Sequence, residues 1–165
     1  PTFVRTAKRV IDSGAEVRFL AIGDGPSRKL VEQCIAELDM EAHVMLLGFR
    51  KDIIDILPQL DIFFITSETE GLGTSILDAQ VGGVPVLATR AGGIVEIVQH
   101  EENGLSTAVA DDEALARELM RYIKDPALRK SMADAAKKTV VKFSKSETAK
   151  RTKAVYESIL KTKSQ

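Results

Sequence analysis

Residues 61–89 read D-I-F-F-I-T-S-E-T-E-G-L-G-T-S-I-L-D-A-Q-V-G-G-V-P-V-L-A-T, and they decide the fold class. The apolar runs Asp61 to Thr66 and Val84 to Thr89 are typical of buried strands, and Thr74 to Val81 between them predicts a helix. Pro85 stands at the start of the second run, where a missing N–H is tolerated. Continuous rather than alternating apolar strands indicate a parallel sheet that is covered on both faces.

The same alternation continues on both sides of this stretch. Further strands are predicted at Glu16 to Ile22, Ala42 to Leu47 and Leu105 to Val109, and further helices at Ser27 to Leu38, Lys51 to Leu57 and Ile94 to Gln99. This order predicts right-handed βαβ units in a doubly wound, Rossmann-like α/β domain. Pro1 to Asp12 is also helical in pattern and has no strand before it, so we expect the first strand of the fold to be absent.

After the fifth strand the pattern becomes helical. Helices are predicted from Asp111 to Lys124, from Pro126 to about Val141 and from Ser144 to about Leu160. We therefore expect one domain over residues 1–165, of which 111–165 is a helical C-terminal extension. Residues 137–163 hold nine basic and two acidic residues. A solvated helix face and attraction to an acidic membrane surface both remain open.

The composition excludes several classes of function. A net charge of −1 over 165 residues gives no basic field for nucleic acid. Apolar runs such as Ile62 to Ile65 are far too short to cross a bilayer. Cys34 is the only cysteine, so no internal disulfide forms and a reducing compartment is expected. The expected location is the cytoplasm, with peripheral contact at the inner face of the membrane left open.

The candidate site lies in the loop and helix that follow the strand Asp61 to Thr66. Ligands of open parallel sheets bind outside the C-terminal ends of the strands. There Glu70 precedes a glycine-rich turn, and Thr74 and Ser75 begin a helix whose free N–H groups favour an anion. Asp78 lies about 6 Å further along the helix axis. Two acids that grip hydroxyl groups on either side of an anion would match the layout of a nucleotide sugar.

Other interpretations of these residues are open at this point. Ser75 and Asp78 fit a capping box, in which Asp78 would only support the start of the helix. Ala91 to Glu96 form a second glycine loop between a strand and a helix, and this loop suits either a phosphate contact or a tight turn. No His/Cys cluster indicates zinc, and no G-x-x-x-x-G-K-[ST] phosphate loop occurs.

Taken together, these motifs resemble the C-terminal domain of GT-B glycosyltransferases, most of all the retaining family four (group 1). The matching stretches are G-D-G-P at 23–26, L-G-F at 47–49, D-I-F-F-I-T-S at 61–67, E-G-L-G-T-S-I-L-D-A at 70–79, G-V-P-V-L-A-T at 83–89, A-G-G-I-V-E-I-V at 91–98 and N-G-L at 103–105. No single stretch is decisive, but their order and spacing are highly specific.

The resemblance implies transfer of a sugar from a UDP-, GDP- or ADP-sugar with retention of configuration and without a bound metal. The E-x7-E motif of the family falls on Glu70 and Asp78, which implies that Glu70 binds the donor sugar near its reacting carbon and Asp78 the ribose. It further implies donor contacts from Gly23, Gly71, Leu72, Gly73, Thr74 and Ser75, and a base stacked near Phe49, Arg50 and Ile53.

The sequence also departs from the family pattern. Asp78 stands where the family has Glu, and Val95 stands where Pro is common. The family's Arg and Lys that clamp the diphosphate would precede the first helix, and the acceptor-binding N-terminal domain is expected to be absent. We therefore expect the isolated chain to bind nucleotide weakly and to transfer no sugar. A related nucleotide-sugar enzyme such as an epimerase, and a catalytically silent nucleotide-binding module, are the rival interpretations.

Overall fold

The computed structural model describes residues 1–162, in which helices and strands alternate as the sequence predicts. In chain order the elements are α1 (Thr2–Asp12), β1 (Phe19–Ile22), α2 (Arg28–Glu37), β2 (Val44–Gly48), α3 (Ile53–Ile56), a 3-10 helix (Leu57–Gln59), β3 (Phe63–Ile65), α4 (Thr74–Gly82), β4 (Val86–Thr89), α5 (Ile94–Ile97), β5 (Leu105–Thr107), α6 (Asp112–Lys124), α7 (Pro126–Thr139), a second 3-10 helix (Val140–Phe143) and α8 (Lys145–Thr162).

All the strand pairs are parallel, which confirms the predicted α/β class, but the five strands form two sheets. One sheet has the order β1-β2 and the other the order β3-β4-β5. The ring of Phe3 on α1 lies 5.8 Å from the ring of Phe19 on β1 and 5.4 Å from that of Phe64 on β3. An aromatic contact from a helix, rather than a hydrogen-bonded ladder, therefore links β1 to β3.

Each strand is shorter than its apolar run. Residues 16–18, for example, were predicted to be part of the first strand, but β1 begins at Phe19. The ladder between β3 and β4 runs only from the pair Phe63 and Val86 to the pair Ile65 and Ala88. Apolar character predicts burial, whereas strand bounds depend on hydrogen-bonded partners, so the runs overestimate the strands.

Strand β4 is the centre of the fold, because it pairs on both sides and is completely buried. Its side chains alternate between two hydrophobic cores. Leu87 packs with β1, α1 and α6, whereas Val86 and Ala88 pack with α4 and α5. The prediction that both faces of the sheet are covered is therefore confirmed here.

The first of the three C-terminal helices is part of the main core. Leu115, Leu119 and Tyr122 of α6 are buried there, and the Tyr122 hydroxyl donates a 3.1 Å hydrogen bond to the carbonyl of Val86. Burial raises the pKa of this phenol. Residues 150–160 of α8, by contrast, are exposed. Within residues 1–162, no helix has the length and apolar character needed to span a membrane.

Helix α6 is also joined to α1 by charge. Asp112 at the start of α6 accepts hydrogen bonds from Arg9 at 2.6 Å and from Arg5 at 3.2 Å. The Arg9 hydrogen bond is the main reason that the pKa of Asp112 lies below its usual range, and Arg5 adds to the effect. A carboxyl with a lowered folded-state pKa stabilises the fold above its unfolded-state pKa, and this contribution is lost as the pH falls through the folded-state value.

We expect Asp112→Asn to lower the denaturation midpoint at pH 7, and the difference from wild type to shrink as the pH falls below about 4. Urea unfolding monitored by circular dichroism at pH 7 and near pH 3 measures this. Asp111→Asn is the matched control, because Asp111 caps α6 by accepting a 2.9 Å bond from the Ala114 N–H and asparagine caps equally well. A pH-independent loss in Asp112→Asn would contradict the ion-pair account.

The second core contains an unpaired amide. Gln80 on α4 is completely buried, and within residues 1–162 neither its Nε2 nor its Oε1 has a hydrogen-bond partner. A buried polar group without a partner carries its full desolvation cost, which is about 1–3 kcal/mol.

We therefore expect Gln80→Met, which keeps the length of the side chain, to raise the free energy of unfolding by about 1 kcal/mol or more. Chemical denaturation at constant pH is the measurement. Gln33→Met on the exposed face of α2 is the control and should change stability by less than about 0.5 kcal/mol. A destabilised Gln80→Met variant would show that the amide is satisfied in solution.

Candidate functional site

The candidate site is formed by the loops that leave the C-terminal ends of β3 and β4. The first loop, residues 66–73, leads into α4, and the second, residues 90–93, leads into α5. Because both strands are parallel and adjacent, the two loops meet at one edge of the sheet.

The N-terminus of α4 faces solvent. Gly73 is its N-cap residue in a left-handed conformation, with φ 80° and ψ 55°, and no side chain caps the helix. Thr74 and Ser75 in the first turn are exposed, whereas Gly73 is buried. The capping box of Ser75 and Asp78 is therefore wrong, since the helix begins two residues too early for it. What remains is an exposed positive helix end.

The two acids lie on either side of this helix end along the chain. Glu70 is half-buried, and a Cβ built on Gly73 would lie 3.5 Å from its Cγ, so its side chain lies against the start of α4. The Ser67 hydroxyl donates to Glu70 Oε2 at 3.4 Å. Asp78 is exposed one turn into the helix. Within residues 1–162 neither carboxylate forms an ion pair.

The second glycine loop packs directly on the first. The Gly93 N–H donates to the Glu70 carbonyl at 3.3 Å. A Cβ on Gly92 would lie 1.9 Å from the Glu70 oxygen, and one on Gly93 would lie 2.1 Å from the Gly71 oxygen. Of the two interpretations of Ala91 to Glu96, the observed contact favours a tight turn that supports the neighbouring loop.

The loops after β1 and β2 lie at the C-terminal ends of the two strands of the other sheet. The Gly23 N–H donates to the Gly48 carbonyl at 2.8 Å, which holds the two loops together. Phe49 follows with 74% of its surface exposed. Arg50 donates to Asp52 at 2.8 Å, and this hydrogen bond holds the pKa of the Asp52 carboxyl below its usual range.

The two isoleucines at the start of α3 have different environments. Ile53 packs against the core that contains Ile76, so its side chain is only partly available to a ligand. Ile54 is 75% exposed and lies near Phe49 in the chain. Phe49 and Ile54 are therefore exposed apolar side chains of the segment that follows β2.

The arrangement offers three kinds of contact to a ligand. The two carboxylates accept hydrogen bonds from hydroxyl groups, the helix end favours an anion, and Phe49 with Ile54 offers an apolar surface. No group of three His, Cys, Asp or Glu side chains that could hold a metal occurs in the part of the chain that the structure describes.

Three further residues of these loops were not among the predicted site residues. Ile53 was predicted to lie near the base from the family resemblance, and its exposed neighbour Ile54 was not considered. Ser67 and Thr89 were quoted in the sequence only as parts of longer motifs. Thr89 is completely buried. Their position at the ends of adjacent strands was the available signal.

Comparisons with known proteins agree with this architecture. Parallel sheets with helices on their faces define a Rossmann-like domain, and the similar solved structures place it in the GT-B fold. Residues 2–139 match the family Glycosyl transferases group 1, and the chain belongs to that family.

Individual relatives cover the chain well, but the chain covers only part of most of them. N-acetyl-alpha-D-glucosaminyl L-malate synthase of Bacillus anthracis is 32% identical over 80% of the chain, which spans 35% of that enzyme. The structure of Anabaena HepE in complex with UDP and glucose is 28% identical and has a TM-score of 0.80. The match covers 93% of this chain and 44% of the HepE chain. The C-terminal domain of the Francisella tularensis group 1 protein LpcC is 26% identical and has a TM-score of 0.76. The match covers 85% of this chain and 76% of the LpcC domain.

The contact between the two glycine loops can be tested with Gly93→Ala. Gly93 has an ordinary backbone angle, so the new Cβ acts only through its clash with Gly71 and Leu72. We expect a loss of about 1–3 kcal/mol in the free energy of unfolding, measured by urea denaturation. Gly25→Ala, where a Cβ meets nothing within 4 Å, is the control and should be close to neutral. Equal stabilities of the two variants would show that the loops are not packed together in solution.

Proposed function

We propose that this chain is the donor-binding half of a retaining glycosyltransferase that uses a nucleotide diphosphate sugar. The observation that carries the proposal is the exposed N-terminus of α4, which lies between Glu70 and Asp78 along the chain. The family membership supports the reaction class, and the solved C-terminal domain of LpcC supports the assignment to a C-terminal half.

Each part of the donor has a matching group at this edge. The carboxylate of Glu70 accepts hydrogen bonds from the sugar hydroxyls near the reacting carbon. The backbone N–H groups of Gly71 to Ser75 face the diphosphate, and Asp78 accepts from the ribose hydroxyls. When the bond from the sugar to the diphosphate breaks, negative charge develops on the leaving group, and the helix end stabilises it.

In this proposal the base, at the end of the donor opposite the sugar, lies beside Phe49, Arg50 and the isoleucines of α3. Phe49 offers an exposed ring for stacking, and Ile54 offers more free apolar surface than Ile53. We propose uracil as the base, because Anabaena HepE, at 28% identity, was solved with UDP and glucose.

The acceptor and the remaining donor contacts are assigned to the rest of the enzyme. The chain spans 35% of the Bacillus anthracis relative, which leaves room for a second domain of similar size. In this proposal an N-terminal domain binds the acceptor and supplies the cations that hold the diphosphate. No metal is required, because a helix end and those cations neutralise the leaving group.

The test is the affinity of the 165-residue chain for nucleotides. In a thermal-shift series with UDP, GDP and ADP, we expect UDP to give the largest increase in melting temperature. We expect Asp78→Ala to weaken UDP binding by about tenfold and Asp78→Glu to retain it, because a carboxylate that binds ribose contributes about 1.4 kcal/mol.

The stability of the same variants separates a ligand site from a structural acid. Asp78 makes no capping bond, so Asp78→Ala should leave the free energy of unfolding within about 0.5 kcal/mol. Glu37→Ala is the control, since it removes an exposed acid at the C-terminal end of α2 and should not affect UDP. Unchanged UDP binding in Asp78→Ala would refute the assignment of Asp78.

A further inference from the structure

A buried hydroxyl ties the loop of Glu70 to the central strand. Thr89 is the last residue of β4 and is completely buried. Its Oγ1 donates a 2.6 Å hydrogen bond to the carbonyl oxygen of Ser67 in the neighbouring loop. The bond has a normal length for a hydroxyl donor, and its Thr89 end is buried while its Ser67 end is half-buried, so it restrains the loop at Ser67.

This bond lies beyond the end of the backbone hydrogen bonds between β3 and β4. The backbone ladder between β3 and β4 ends at the pair Ile65 and Ala88. Thr89 is itself fixed on the other side, where it pairs with Thr107, and the next N–H, that of Arg90, donates to the Thr107 carbonyl at 2.8 Å. The Thr89 hydroxyl therefore extends the restraint by two residues beyond β3, from a buried strand that is paired on both sides.

The restraint continues from Ser67 to the candidate catalytic acid. The Ser67 hydroxyl donates to Glu70 Oε2 at 3.4 Å, while the Gly93 N–H holds the Glu70 carbonyl at 3.3 Å. The backbone of Glu70 is therefore fixed by the second glycine loop. Among the described residues, Ser67 is the side chain that bonds the Glu70 carboxylate, at a long 3.4 Å, and the Ser67 carbonyl is in turn bonded by Thr89.

We propose that Thr89 and Ser67 are positioning residues for Glu70. Their two hydroxyls raise the affinity for the sugar part of the donor and leave the affinity for the nucleotide unchanged. This inference rests on the proposed function, in which Glu70 binds the sugar. Asp78 and Phe49 have no contact with Thr89 or Ser67 among the bonds of the described residues. The diphosphate contacts of Gly71 to Ser75 are anchored separately, by the Gly93 N–H on the Glu70 carbonyl and the packing of Gly93 on Gly71, so we expect the nucleotide contacts to keep their geometry when the two hydroxyls are removed.

The experiment compares UDP with UDP-glucose on the 165-residue chain by NMR titration, which measures weak affinities. Thr89→Val removes the hydroxyl at constant shape, and Thr89→Ser keeps it. We expect Thr89→Val to bind UDP-glucose about fivefold more weakly, with the UDP dissociation constant changed by less than about twofold. Thr89→Ser should restore both values.

Ser67→Ala provides a second route to the same result, because it breaks only the link to Glu70 at a half-buried position. If the two hydroxyls act in series, the double variant Thr89→Val with Ser67→Ala loses no more than either single variant. Equal weakening of UDP and UDP-glucose, failure of Thr89→Ser to restore the sugar preference, or additive losses would each overturn the proposal.

A readout without ligand separates this inference from the proposed function. Scalar couplings across the Glu70 χ1 bond should show one rotamer in wild type and Thr89→Ser, and averaged rotamers in Thr89→Val and Ser67→Ala. One rotamer in all four proteins would overturn the positioning role, even if UDP binds. Averaging in the two variants together with no binding of UDP or UDP-glucose by wild type would instead reject the proposed function.

Discussion

The site depends on one close contact between two stretches of backbone. The loops after β3 and β4 approach so closely that a Cβ on Gly92 would lie 1.9 Å from the Glu70 oxygen, and one on Gly93 would lie 2.1 Å from the Gly71 oxygen. Glycine is the residue that leaves this space free. The contact fixes the backbone of Glu70 and the turn that starts α4, so the acid and the helix end keep a constant relation to each other.

That contact explains which parts of the site could be predicted from the sequence. The glycines marked the two loops, and the buried strand ends placed them at one edge. The role of the second loop could not be chosen, because a phosphate contact and a backbone contact both require glycine. The capping box was wrong for a related reason: the local pattern at Ser75 and Asp78 fits, but Gly73 turns the chain into the helix earlier.

The fold shows the same division between local and long-range information. The apolar runs predicted every strand, and α1 to α8 begin and end within a few residues of their predicted bounds. The division into two sheets could not be predicted, since it depends on which strands pair across space. The environment of Ile53 could not be predicted either: the family resemblance named it as a base contact, and only the tertiary packing shows that Ile53 packs on the core while the neighbouring Ile54 is exposed.

The charges at the edge indicate how the proposed donor would be held. Elsewhere in the described chain, carboxylates such as Asp112 and Glu101 are paired with arginines, whereas Glu70 and Asp78 have no cation beside them. Carboxylates without a cation can accept hydrogen bonds from neutral hydroxyl groups. Their two negative charges, however, disfavour an anion placed between them. The end of α4 supplies only about half a positive charge, which is less than a diphosphate carries. The electrostatic balance of the proposed complex is therefore incomplete on this chain alone, and cations supplied from outside it would raise affinity and stabilise the leaving group together.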